Sequence, residues 1–106
     1  MSWARALITD LARGESVVAR PRGHSMRGRV ADGERVVIAP IAPDRPLAVD
    51  EVVLCRVAGR DYLHLIKAIR GPENARQYLI GNNRGGINGW VGRAAIFGRL
   101  LDGRET

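Results

Sequence analysis

Lysine is almost absent from this chain. Of 17 basic side chains sixteen are arginines, and Lys67 alone is a lysine. Arginine stays charged in any protein, so it cannot act as a base, whereas a lysine amine taken out of water can give up its proton. A neutral amine is a general base, so this chemistry points to Lys67. Cysteine is as scarce: a lone Cys55 closes no internal disulfide, and no cysteine–histidine cluster has the spacing of a zinc site. No metal and no cofactor is therefore expected. Aromatic residues make up 5% of the chain, too few to interleave with the arginines as a stacking surface for nucleic acid bases. No apolar run approaches the ~20 residues of a membrane-spanning helix. Asp10 interrupts the stretch where a secretory leader would continue apolar, so no cleaved leader is expected, and a cytoplasmic location follows.

What remains is a chain of 106 residues, 45% apolar and 26% charged, which suits a single globular domain over 1–106. Trp3, Leu7, Ile8 and Leu11 recur at helical spacing and Gly14 is placed to stop them, so residues 2–13 read as one short amphipathic helix. Beyond Gly14 the pattern turns to strands: Ser16–Arg20, Glu34–Ala39, Glu51–Val57, Asp61–Ile69, Gln77–Ile80 and Ala94–Leu101, parted by glycine- and proline-bearing turns. The third and fourth of these, joined through Ala58-Gly59-Arg60, read as a hairpin. The expectation is a mainly β domain, with a β core over 16–101 behind one N-terminal helix.

The solitary lysine sits in Tyr62-Leu63-His64-Leu65-Ile66-Lys67-Ala68-Ile69. Strand alternation puts Leu63, Leu65, Lys67 and Ile69 on one face and Tyr62, His64, Ile66 and Ala68 on the other. Lys67 is thus expected among aliphatic side chains, where burial without a carboxylate disfavours the charged form of an amine. Ser25, one of three serines, stands in Gly23-His24-Ser25-Met26. A serine hydroxyl beside a desolvated lysine is one way to make a nucleophile without histidine.

These residues resemble the serine-lysine peptidases, the superfamily that joins bacterial signal peptidases with self-cleaving repressors of the SOS and phage type. Gly23-His24-Ser25-Met26 followed by Asp32-Gly33-Glu34 and Arg35-Val36-Val37-Ile38 is similar to the nucleophile segment. Val49–Val53 resembles the next box, Leu65–Gly71 the lysine box, and Leu79-Ile80-Gly81-Asn82-Asn83-Arg84 the segment near the end of the catalytic core. Gly98 and its flanks resemble the closing strand, so the likeness covers 16–101 in order. It departs at Gly28, where proline is usual, at Glu34 for aspartate, and after Arg84, where Gly85-Gly86-Ile87-Asn88 stands in place of a serine-containing segment. The resemblance implies a soluble serine endopeptidase of the small signal-peptidase/repressor β-fold, acting on a protein or peptide. Ser25 would be nucleophile and Lys67 base. The His24 and Ser25 amides would hold the oxyanion, with Gly23, Met26, Gly33 and Asn83 supporting the site.

Other candidates read more plainly. His24 and Ser25 are chain neighbours and point apart in extended backbone. His64, opposite Lys67, reads as a satisfied or exposed strand residue. Gly81–Gly89 lacks a phosphate-loop signature and reads as a flexible loop beside the substrate groove. The net charge of +6, with Arg20, Arg22, Arg27 and Arg29 around Ser25, makes a non-catalytic binding module the competing expectation, its basic surface contacting nucleic acid or a protein.

Overall fold

The computed structural model describes residues 3–101, so Ser2, where the expected helix begins, lies outside the described residues. The helix, α1, spans Arg5–Ala12. Seven strands follow: β1 Val17–Ala19, β2 Val36–Ala39, β3 Val52–Val57, β4 Arg60–Arg70, β5 Gln77–Gly81, β6 Ile87–Gly92 and β7 Ile96–Leu100. They form one sheet in the order β1-β2-β7-β3-β4-β5-β6, every pair antiparallel. The domain is mainly β with one short helix, as the turn spacing implied. Among the described residues no helix is long and apolar enough to cross a membrane.

The expected hairpin is present. Val57 pairs with Arg60 across a two-residue loop in which Ala58 and Gly59 have φ of +50° and +80°. Two successive left-handed residues match the twist of the flanking strands, which sets the register of every pair down to Val52 opposite Leu65.

Each face of the sheet buries its own cluster. On one face Leu7, Ile8 and Leu11 of α1 pack with Ile38, Val52, Leu54, Leu63 and Leu65. Gly98 of β7 lets the helix in: a β-carbon there would stand 2.8 Å from Ile38 Cγ2 and 2.9 Å from Leu11 Cδ1. On the other face Val53, Cys55, Ile66, Tyr78, Ile80 and Ile96 form a second cluster. The sheet curls towards this side, so that Val57 Cγ1 of β3 comes within 3.4 Å of where a β-carbon of Gly89 on β6 would be.

Two expectations are corrected here. Gly81–Gly89 is not a loop throughout: β5 runs to Gly81, a tight turn covers 82–86, and β6 starts at Ile87. Asn82 builds the turn, its Oδ1 accepting from the amides of Arg84 and Gly86, both at 2.8 Å. Pairing with β5 makes Ile87–Gly92 a strand although its two glycines weaken the local signal. The second correction concerns β4. Ile66 pairs with Ile80 and Ala68 with Leu79, leaving Lys67 as the unpaired extra residue of a bulge. Alternation is reset there, and Ile69 joins Ile66 in the second cluster rather than sharing a face with Leu63 and Leu65.

Candidate active site

Ser25 rides on a long loop between β1 and β2 that is closed at its base. The Gly33 amide donates to Pro21 O at 2.7 Å, and the Gly23 amide to Asp32 Oδ1 at 2.8 Å. Gly23 has φ of +101°, a backbone state that side-chain-bearing residues rarely adopt, and it turns the chain just before the serine. Met26, 5% exposed, anchors the next position in the first core cluster. From the other side Asn83 grips the same segment: its amide donates to Ser25 O at 2.9 Å and its Nδ2 to Arg27 O at 2.8 Å. The Ser25 side chain is therefore held between a core anchor and a turn, and is half-buried.

Its partner is His64. Ser25 Oγ lies 3.2 Å from His64 Nε2, and His64 Nδ1 lies 2.7 Å from Asn88 Oδ1. With the ring proton on Nδ1, donating to Asn88, Nε2 keeps its lone pair for the serine hydroxyl. His64 is 7% exposed, and among the described residues it is the buried polar or charged side chain of the core. Tyr62 stacks on it with ring centroids 4.8 Å apart. Burial pushes the imidazole below its ordinary 6.5, and the bond to Asn88, which favours the protonated ring, opposes that only in part. The imidazole is neutral at pH 7.

Lys67 takes a different course. Its Cγ lies 3.0 Å from where a β-carbon of Gly81 would stand, and Nζ donates to Asn82 O at 3.2 Å. Among the described residues no hydrogen bond joins Lys67 to Ser25. The lysine is half-buried and tied to the turn whose next residue, Asn83, grips the serine segment. Of the other expected site residues, Gly23, Met26, Gly33 and Asn83 all fold around Ser25. The backbone amides of His24 and Ser25 donate to no protein group among the described residues. His24 itself is exposed, and its ring takes no part in the Ser25–His64 pair.

Sequence reasoning therefore missed two functional candidates, His64 on β4 and Asn88 on β6. His64 carried a signal: a lone polar ring inside Leu63-His64-Leu65-Ile66, where a buried polar group calls for a partner. Asn88 carried none, since its place depends on β6 curling back over the sheet. Cys55 is no rival nucleophile: burial and nearby Asp61 push its thiol up to about 12. Among the described residues no cluster of histidine, cysteine and carboxylate side chains could hold a metal ion. The chain matches no family model, no curated protein and no solved structure. The geometry of Ser25, His64 and Asn88 thus carries the functional argument.

Proposed function

We propose that the protein is a serine hydrolase that cleaves peptide or related acyl bonds, with Ser25 as nucleophile, His64 as base and Asn88 orienting the imidazole. The observation that carries this is the continuous pair of contacts Ser25 Oγ–His64 Nε2 and His64 Nδ1–Asn88 Oδ1 around a neutral, buried ring. A nucleophile, a base within reach and a third group fixing the base is the recurring logic of such sites, on whatever fold they occur. The likeness of the Ser25 and Lys67 segments to serine-lysine peptidases supports the same reaction class and the small β-fold of that superfamily.

In the forward step Ser25 Oγ bonds to the substrate carbonyl carbon while its proton passes to His64 Nε2. The amides of His24 and Ser25, unspent within the loop, face the task of stabilising the oxyanion. His64 then returns the proton to the leaving nitrogen as the carbon–nitrogen bond breaks, leaving an acyl ester on Ser25. A water attacks that ester, loses its proton to His64, and Ser25 recovers it as the acid departs.

A second reading keeps Lys67 as the base. It is favoured by one observation: the amine is already bonded to Asn82, one residue from the Asn83 amide that holds Ser25. For that mechanism Nζ must leave the carbonyl and displace His64 from the hydroxyl. A fluorophosphonate probe tests the shared claim directly. It should label the wild-type chain on Ser25 and leave Ser25→Ala unlabelled, with thermal stability of the variant nearly unchanged. Equal labelling of both proteins would falsify the hydrolase.

A further inference from the structure

Beside Ser25 and His64 opens a cavity of about 370 Å³ whose walls are mostly apolar: Trp3, Met26, Val30, Ala31 and Leu63. It starts at the nucleophile and continues along the nucleophile's own loop. Resting on the proposed serine chemistry, we infer that this cavity receives a large apolar side chain from the acyl side of the bond that is cut, with Trp3 forming its outer wall.

Three observations carry this. The volume, near the low end of small-molecule sites of roughly 300–1,000 Å³, is enough to accommodate one bulky side chain. Trp3 is 52% exposed although it borders the cavity, so its indole holds apolar surface in water that an entering side chain would cover. The charges on the rim also discriminate. Asp61 lines the cavity, yet its side chain is 2% exposed and bound by Arg56 through contacts of 2.8 and 3.3 Å. Arg20 and Arg22, both exposed, complete the rim and repel a cationic group. A basic side chain therefore meets a carboxylate already committed to Arg56, and a small one leaves the apolar wall wet.

The acyl side follows from the walls. Gly23, Met26, Val30 and Ala31 belong to the loop that carries Ser25 and the candidate oxyanion amides. The group attached to the attacked carbon stays against that loop when the leaving group departs.

The test uses p-nitrophenyl esters of N-acetyl-phenylalanine, N-acetyl-alanine and N-acetyl-lysine, which share one leaving group and differ only on the acyl side. We expect kcat/KM to fall in the order phenylalanine, alanine, lysine, with at least about a tenfold gap between the first two, as burying a few extra carbons requires. Ala31→Trp, at an exposed position that spares the core, fills the cavity, and Trp3→Ala removes its wall. Each should lower the phenylalanine-to-alanine ratio several-fold, with circular dichroism confirming the fold. Ser25-dependent turnover in which alanine equals or exceeds phenylalanine, or a ratio that neither variant shifts, overturns the pocket and leaves the hydrolase standing. Turnover no faster in wild type than in Ser25→Ala overturns the hydrolase, and the pocket with it.

Discussion

The two halves of β4 differ more than their sequences suggest. Before the bulge, Tyr62 to Ile66 keep strict alternation. That delivers Leu63 and Leu65 to one core cluster, and Ile66 with half-buried Tyr62 to the other. His64 rides on the same ladder, opposite Val53, which fixes its ring between Ser25 and Asn88. After the bulge the ladder continues from Ala68, and Lys67 is left over, free of any pairing and aimed at the carbonyl of Asn82. Both residues bear a nitrogen base and stand three positions apart. A regular ladder immobilises one against the serine, while an inserted residue sends the other to a neighbouring turn. Position in the pairing, not residue type, separates them.

The sharpest way to break the comparison is to remove each base in turn. His64→Gln should lower kcat by about a hundredfold to ten-thousandfold, the range expected of a positioned general base. Lys67→Met should cost less than about tenfold, because it loosens a turn without touching the hydroxyl, and Lys67→Arg should restore most of that loss by keeping a donor to Asn82. If instead Lys67→Met and Lys67→Arg are both inactive and His64→Gln is not, the lysine is the base.

The pH profile sharpens the same contrast. Protonated His64 cannot accept the serine proton, so the rate should fall on the acid side, and burial moves that limb below 6.5. From neutral pH upward the rate should stay level. A rate that keeps climbing well into the alkaline range would indicate the amine. The linkage has a definite sign: the unfolded chain, with the higher histidine pKa, takes up the proton first. Stability is therefore full above 6.5 and is lost as pH falls towards the depressed folded value. His64→Gln should flatten that part of a chemical-denaturation series measured across pH.

The smallest effect concerns the bulge itself. Deleting Lys67 brings Ala68 directly after Ile66 without changing any pair in the ladder, since Ala68 already faces Leu79. The cost should be about 1 kcal/mol, the worth of the lost bond to Asn82. Deleting Leu65, by contrast, would invert every face beyond it and should abolish cooperative unfolding. A Lys67 deletion that unfolds the chain would mean that the bulge is part of the fold rather than an insertion into it.

Much of this protein was decided locally. Period-two runs separated by glycine and proline fixed six of the seven strands. Ala58-Gly59 closed the central hairpin, and the apolar spacing from Leu7 to Leu11 gave the helix, because each depends on residues close in the chain. Asp32-Gly33 was legible as a turn, but the bonds from it to Gly23 and Pro21 that close the Ser25 loop were not. What lay beyond the sequence depended on long-range pairing. The strand that local pattern did not announce, β6, exists because β5 pairs with it, despite its glycines. The bulge at Lys67 arises from the register between β4 and β5, which no alternation within β4 announces. The contacts around His64 need the first of these: only when the sheet curls and β6 returns over its face does Asn88 meet His64, 24 residues away in the chain. Alternation fixed which face of β4 His64 occupies; desolvation and two hydrogen bonds, supplied by distant segments, made it the residue that meets the serine.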